Sequence, residues 1–208
     1  MLGFKRLDFG LNAQLRADLT FYTQGSCGRL RIRPPHIQDY AQWSKLRIAS
    51  RQFLQPWEPI WPNDDLTKAA FRRRISRYNK EISRDDAFPF FIFNAADETL
   101  LGGLNLSNIR RGAASMAVMG YWMGERYAGK GIMSAAVKAI IPMAHETLGI
   151  RRIEAACLPS NTASIRLLEK TGFVREGLAK EYLMINGVWS DHLLYARIQQ
   201  VGTAGLYV

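Results

Sequence analysis

A mixed α/β sheet with helices on its faces is the fold class this sequence predicts. Three observations carry it: two-residue alternation of apolar positions near both ends of the chain, a long helical period over 129–148, and interleaved strand and helix signals. The 208 residues correspond to one domain. A chain of that length buries about 70% of its unfolded surface and needs neither a disulfide nor a structural metal. Hydrophobic residues at 48% and charged residues at 22% exclude a disordered chain or a collagen-like repeat.

Residues 1–28 show no steady period and read as a partly irregular lead-in to a domain at 29–200, with 201–208 as a tail. Leu30 and Ile32 alternate with Arg29, Arg31 and Arg33 as in a half-buried strand, and Pro34-Pro35 stops it. Residues 39–53 read as a helix with Tyr40, Trp43, Leu46 and Ile48 as its apolar stripe. Pro56, Pro59 and Pro62 exclude helix from 55–62 and predict a stiff loop presenting Trp57, Glu58 and Trp61. Asp64 or Asp65 then caps a second helix running to about residue 83, studded with Lys68, Arg72, Arg73, Arg74, Arg77 and Lys80. Residues 87–94 and 100–108 form a hairpin around the turn at 96–99, and 115–123 is a third strand.

The helix at 129–148 brings Met133, Val137, Ile140, Ala144 and Leu148 to one face, with Gly149 at its C-terminal cap. Pro142 predicts a kink there, because an interior proline costs about 3 kcal/mol. Residues 152–158 form a strand and 161–171 a short helix. Residues 173–185 and 188–198 close the chain as a hairpin across Asn186-Gly187.

Lys and Arg number 28 against 18 Asp and Glu, a net charge of +10 that points to an anionic partner: nucleic acid, a phosphorylated cofactor or an acidic surface. The two cysteines, Cys27 and Cys157, are too few for a disulfide framework and lack metal-ligand spacing, so no metal is expected. No apolar segment has the length of a signal-peptide core or a membrane span. A cytoplasmic protein without membrane contact is the expectation.

Chemistry concentrates in 119–134, where a strand runs through glycines into the start of the long helix. Helix N-termini carry unpaired N–H groups and a partial positive charge, and glycines let a phosphate approach the backbone. Arg126 and Lys130 add cationic side chains. The segment is either an anion cradle suited to a pyrophosphate or an ordinary strand-to-helix turn. Gly124-x4-Gly129-Lys130 is one residue short of a P-loop, and Gly131 occupies the place of its Mg²⁺-binding Ser or Thr. Gly129-x-Gly131-x-x-Ser134 lacks the third glycine of the dinucleotide fingerprint.

The pattern Arg126-x-x-Gly129-x-Gly131, followed about thirty residues later by Asn161-Thr-Ala-Ser-Ile-Arg-Leu-Leu-Glu-Lys-Thr-Gly-Phe173, resembles the GCN5-related N-acetyltransferases (GNAT). That family binds the pyrophosphate of acetyl-CoA at such a turn. The stretches Phe53-Leu-Gln-Pro-Trp-Glu-Pro59 and Lys180-Glu-Tyr-Leu-Met-Ile-Asn-Gly-Val-Trp-Ser-Asp-His192 are similar to its ribosomal-protein-alanine N-acetyltransferase branch. The resemblance covers residues 29–198. It implies a single-domain GNAT fold with a mostly antiparallel central sheet, acetyl-CoA as donor, and direct attack by an amine. The implied acceptor is the N-terminal alanine of a ribosomal protein.

The resemblance also implies roles. Backbone groups of Tyr121, Trp122 and Met123 pair with the pantetheine amides like an added strand. Arg126, Ala128, Gly129, Lys130, Gly131, Ile132 and Met133 hold the pyrophosphate, and Asn161 and Arg166 contact the cofactor. Asn161 is equally placed to cap its helix. Relatives that use a Tyr acid in the short helix have Leu168 as their counterpart here, and Ser164 resembles the serine of another branch. Ser164 is either an acid toward the departing thiolate or an exposed helix serine. Glu181 is either a base acting through water or a solvated strand residue. Trp57, Glu58 and Asn105 are the candidates for the acceptor side, with Glu58 facing the substrate ammonium or merely forming a turn. Asp191 and His192 either orient this region or form a structural pair, and His36 and His145 show no partners.

An α-amine of pKa about 7.7–8.0 costs only about 1–1.4 kcal/mol to deprotonate at pH 7, whereas a lysine costs roughly 4.6 kcal/mol. A site without a strong base therefore suits an N-terminal acceptor. Three readings stay open: an N-terminal acetyltransferase, monomeric or homodimeric; an acetyltransferase of a small amine such as an antibiotic, a polyamine or an amino acid; and a non-catalytic acyl-CoA-binding or ribosome-associated protein. The arginine-rich helix either meets ribosomal RNA or is a solvated face.

Overall fold

The computed structural model describes residues 19–26 and 28–200; most of the lead-in (1–18), Cys27 and the tail at 201–208 lie outside them. The strands are β1 (Phe21–Gly25), β2 (Gly28–Arg33), β3 (Phe88–Asn94), β4 (Leu100–Arg110), β5 (Met116–Met123), β6 (Arg152–Cys157), β7 (Val174–Ile185) and β8 (Val188–Ile198). They form one sheet in the order β1-β2-β3-β4-β5-β6-β8-β7. Every neighbouring pair is antiparallel except β5–β6. The helices are α1 (Tyr40–Ala49), α2 (Arg51–Leu54), α3 (Lys68–Arg84), α4 (Ile132–Pro142) and α5 (Thr162–Lys170).

Strand β3 shows why the sheet needs cover on both faces. Phe88, Phe90 and Ile92 point to one side, where they join Met133, Val137 and Ile140 of α4 and Leu168 of α5. Phe91 and Phe93 point to the other, where they join Trp43 and Leu46 of α1 and Phe71 and Ile75 of α3. The expected mixed sheet with helices on both faces is the observed one.

Several local expectations change. The lead-in contains β1, which pairs with β2 from Phe21↔Ile32 to Gly25↔Gly28. It alternates half-buried and exposed positions without one fully buried residue, so it carries little apolar signal. In α1 the buried stripe is Trp43, Leu46 and Arg47, while Ile48 is 61% exposed. Positions 43, 46, 47 and 50 share a face at 3.6 residues per turn, and position 48 does not. Gln55–Trp57 forms a single 3₁₀ turn with Pro56 in its first turn, where a missing N–H costs nothing. Thr67 caps α3, accepting a 3.2 Å bond from the Ala70 N–H, because Asp64 and Asp65 are taken by Arg73 and Arg74. Helix α4 stops at Pro142 and continues as a π turn over Met143–Thr147, with the Leu148 N–H donating to the Met143 carbonyl at 3.0 Å. Asn186 and Gly187, both at positive φ, make the two-residue turn between β7 and β8.

Candidate active site

Strands β5 and β6 pair only over Met116–Val118 with Arg152–Glu154. Beyond that, β5 continues to Met123 along β4, and β6 continues to Cys157 along β8. The β6-facing edge of residues 119–123 therefore has no strand partner among the described residues. An unpaired edge of this kind offers its N–H and C=O groups to an extended ligand. Tyr121, Trp122 and Met123 lie on it.

At the end of β5 the chain makes a 3₁₀ turn (Glu125–Tyr127) and enters α4 through two left-handed glycines, Gly129 at φ 72° and Gly131 at φ 71°. Only glycine takes that conformation without strain. Among the described residues, no backbone acceptor faces the N–H groups of 129–134. Six such donors at the positive end of a helix make an anion cradle. Ile132 and Met133 bury their side chains in the core, which leaves their amides as what they can offer. Arg126 and Lys130 are exposed beside the loop, and the Arg126 guanidinium stacks 4.6 Å over the Tyr127 ring. Ala128 packs against the core, and the Ser26 hydroxyl donates to the Lys130 carbonyl, tying the loop to the β1–β2 turn.

Across the gap, the Asn161 side chain caps α5 by accepting from the Ser164 N–H at 3.0 Å. Its amide nitrogen is not part of that bond, so capping and cofactor contact are compatible. Ser164 is 8% exposed and so is not an exposed helix serine. Its hydroxyl lies 2.5 Å from the Tyr121 hydroxyl. Burial pushes the Tyr121 phenol well above its usual range, outweighing the bond to Ser164 that opposes it. Burial likewise raises the Cys157 thiol. Both groups are protonated at neutral pH. Leu168 is fully buried in the core, and the phenol beside Ser164 is that of Tyr121 on β5. Arg166 is exposed on α5.

Trp122, the next residue, faces the opposite side of the sheet, where a cavity of about 220 Å³ opens. Glu58 is held on its wall by three donors: Arg47 Nη1 and Nη2 at 2.7 and 2.6 Å, and Trp61 Nε1 at 2.7 Å. The Arg47 guanidinium lies 4.0 Å from the Trp61 ring centre and 5.1 Å from that of Trp122. The Glu58 carbonyl accepts from the Asn186 N–H at 2.9 Å, which docks the proline-rich loop on the tip of the β7–β8 hairpin. Asn105 reaches the same cavity from β4, opposite Gly120, where an added Cβ would stand 2.7 Å from Asn105 Oδ1. Trp57 is half-buried in the 3₁₀ turn and does not line the cavity. Trp61, expected to be presented by the loop, is buried at 7% exposure, and Arg47 was not foreseen from the sequence. A charged residue on the apolar face of α1, at i+4 from Trp43, was the available signal for Arg47.

Glu181 sits at a bulge of β7 with φ 44° and an exposed side chain; its N–H donates to Asp191 at 3.0 Å. Asp191 also accepts from Lys180 at 2.6 Å, and the two bonds hold its carboxyl below the usual range. His192 bonds the Ser190 carbonyl at 2.9 Å, while Asp191 bonds Lys180 and the Glu181 N–H, so the two are not hydrogen-bonded to each other. His145 has a partner after all, the Ile150 carbonyl at 2.7 Å. His36 donates its backbone N–H to Asp39 at 2.7 Å. On α3, Arg73, Arg74 and Arg77 pair with Asp64, Asp65 and Glu81, which neutralises much of the basic face.

Residues 29–174 match the acetyltransferase (GNAT) domain family. The chain belongs to the GNAT acetyltransferases. This acetyltransferase is 38% identical over 165 residues to the probable N-acetyltransferase YjcK of Bacillus subtilis, covering 79% of this chain and 91% of that protein. It is 35% identical over 168 residues to the [ribosomal protein uS5]-alanine N-acetyltransferase of Escherichia coli, covering 81% of this chain and 87% of that protein. Its fold matches Mycobacterium smegmatis RimJ in complex with CoA-disulfide at a TM-score of 0.83, with 32% identity and 88% of each chain covered. The GNAT enzyme takes acetyl-CoA as its donor. Among its described residues no His, Cys, Asp and Glu cluster suited to a metal is present, and no helix is long and apolar enough to cross a membrane.

Proposed function

We propose that this GNAT enzyme acetylates the N-terminal α-amine of a protein in the cytoplasm, with an alanine-starting ribosomal protein as the acceptor. One observation carries the reading. Tyr121 and Trp122 are neighbours on the free edge of β5, yet one faces the Ser164 hydroxyl and the other faces the cavity of Glu58 and Asn105. A thioester lying along that edge has a proton donor on one side and an acceptor pocket on the other. The likeness to the uS5-alanine enzyme supports the choice of acceptor.

The chemistry follows. The α-amine loses its proton at a cost of about 1–1.4 kcal/mol at pH 7, so a water relay to the exposed Glu181 is a sufficient base. The amine nitrogen attacks the thioester carbon, the C–N bond forms, and the C–S bond breaks. The departing thiolate takes the Ser164 proton, Tyr121 replaces it through the 2.5 Å bond, and the proton that the acylated nitrogen sheds returns through water to Tyr121. A serine alone is a poor acid; a phenol behind it is a better one. Glu58, on the acceptor wall, keeps part of its Oε1 free for the substrate ammonium before it is deprotonated. Release of free thiol from acetyl-CoA with an alanine-starting peptide, and none with the same peptide N-terminally blocked, is the expected result. No turnover with any peptide would defeat the reading.

A further inference from the structure

The cavity beside Trp122 does not end at Asn105. A second cleft of about 520 Å³ continues from it between α3 and the β3–β4 pair, sharing Tyr78, Pro89 and Asn105 with the first. Its far end is walled by Glu81 and Asp86. Asp86 is exposed and has no ion-pair partner among the described residues, and Glu81 meets Arg77 only at 3.4 Å. Arg77 lines the same end, so two carboxylates against one guanidinium leave it net negative in a chain of net charge +10. At the inner end, Arg47 Nε is buried without a hydrogen-bond partner, a donor matched to a peptide carbonyl.

Lengths identify the occupant. The Asp86 carbonyl accepts from the Ile109 N–H at 3.2 Å, so Asp86 stands beside Ile109. Ile109 is four positions along β4 from Asn105, about 13 Å at the rise of a strand. An extended chain covers that distance in about four residues. A small amine fills the inner cavity and leaves the outer cleft empty.

We propose that this outer cleft binds the segment following the acceptor's N-terminal residue as an extended chain, and that Asp86 and Glu81 select a basic side chain at its fourth or fifth position. The proposal rests on the N-terminal acetyltransferase reading above. It makes the substrate an unfolded protein N-terminus with a downstream Lys or Arg, and it makes Asp86 and Glu81 specificity residues that touch no reacting atom.

The test uses the full chain, acetyl-CoA, and two alanine-starting peptides that differ only in carrying Lys or Glu at the fourth and fifth positions, with an alanine dipeptide as a short control. The wild type favours the Lys peptide by about fivefold in kcat/KM, through KM, as expected for one half-exposed ion pair. Asp86→Lys and Glu81→Lys each shrink or reverse the preference and leave dipeptide turnover unchanged. Equal KM for both peptides in the wild type, or a preference that survives both substitutions, overturns the cleft while dipeptide turnover keeps the transferase reading standing. Absence of turnover with every amine overturns the transferase reading and the cleft with it.

Discussion

The Tyr121 and Ser164 hydroxyls lie 2.5 Å apart and join the free edge of β5 to the first turn of α5. That contact places two hydroxyls beside residues 119–123 of β5, whose β6-facing edge has no strand partner among the described residues. If the two hydroxyls act as one relay, removing either has nearly the effect of removing both. Ser164→Ala and Tyr121→Phe are each expected to lower kcat by about a hundredfold, with the KM for acetyl-CoA nearly unchanged because the backbone edge is intact. The double variant is expected to be little worse than either single one. Additive losses would mean that the two hydroxyls work separately.

The pH profile follows from the same pair. A donor fails once it ionises, and burial raises the Tyr121 phenol above its usual range, so the failure moves to higher pH. The acceptor must be neutral, and its α-amine titrates near 7.7–8.0. The rate at fixed low peptide concentration is therefore expected to climb through about pH 8 and stay level to about pH 10. A descending limb between these values would place an ordinary acid in the relay.

Glu58 and Arg47 make a different prediction. Arg47 has a side chain only 7% exposed, and Glu58 is its charge partner. Glu58→Gln leaves that cation in place without an anion, at a cost of about 3 kcal/mol. For a chain of this size the melting temperature falls by roughly 5–10 °C. Arg47→Met in the same chain removes the stranded charge and recovers part of the loss. Calorimetry of the single and double variants reads both effects, and an unchanged melting temperature in Glu58→Gln would show that the pair does not stabilise the fold.

What the sequence disclosed depended on how local the signal was. The glycine turn at 129 and 131 and the Asn186-Gly187 hairpin were legible because a left-handed backbone leaves a residue-type signature. The Pro142 break was legible for the same kind of reason. The relay was half legible: Ser164 could be placed from its motif, but Tyr121 meets it from a strand forty-three positions away, and no spacing rule reports that. Arg47 was hidden because a charge on a helix reads as solvent-facing until its neighbours are known, and its anion comes from the loop after α2. Strand β1 was hidden because its pattern has too few apolar residues to stand out from an irregular segment.

The anion cradle makes the last prediction. Gly129 has φ 72°, and a Cβ added there meets no atom within 4 Å, so Gly129→Ala introduces no clash. Its cost is backbone strain of about 1–2 kcal/mol, together with a methyl group on the loop that a diphosphate must approach. Titration calorimetry is expected to show coenzyme A binding weakened tenfold or more, by about 1.4 kcal/mol at least. Acetyl-pantetheine has no diphosphate and should be used equally well by the variant and the wild type. A loss shared by both donors would assign the effect to distortion of α4 rather than to the cradle. Unchanged coenzyme A affinity would mean that the free N–H groups of 129–134 are not what holds the donor.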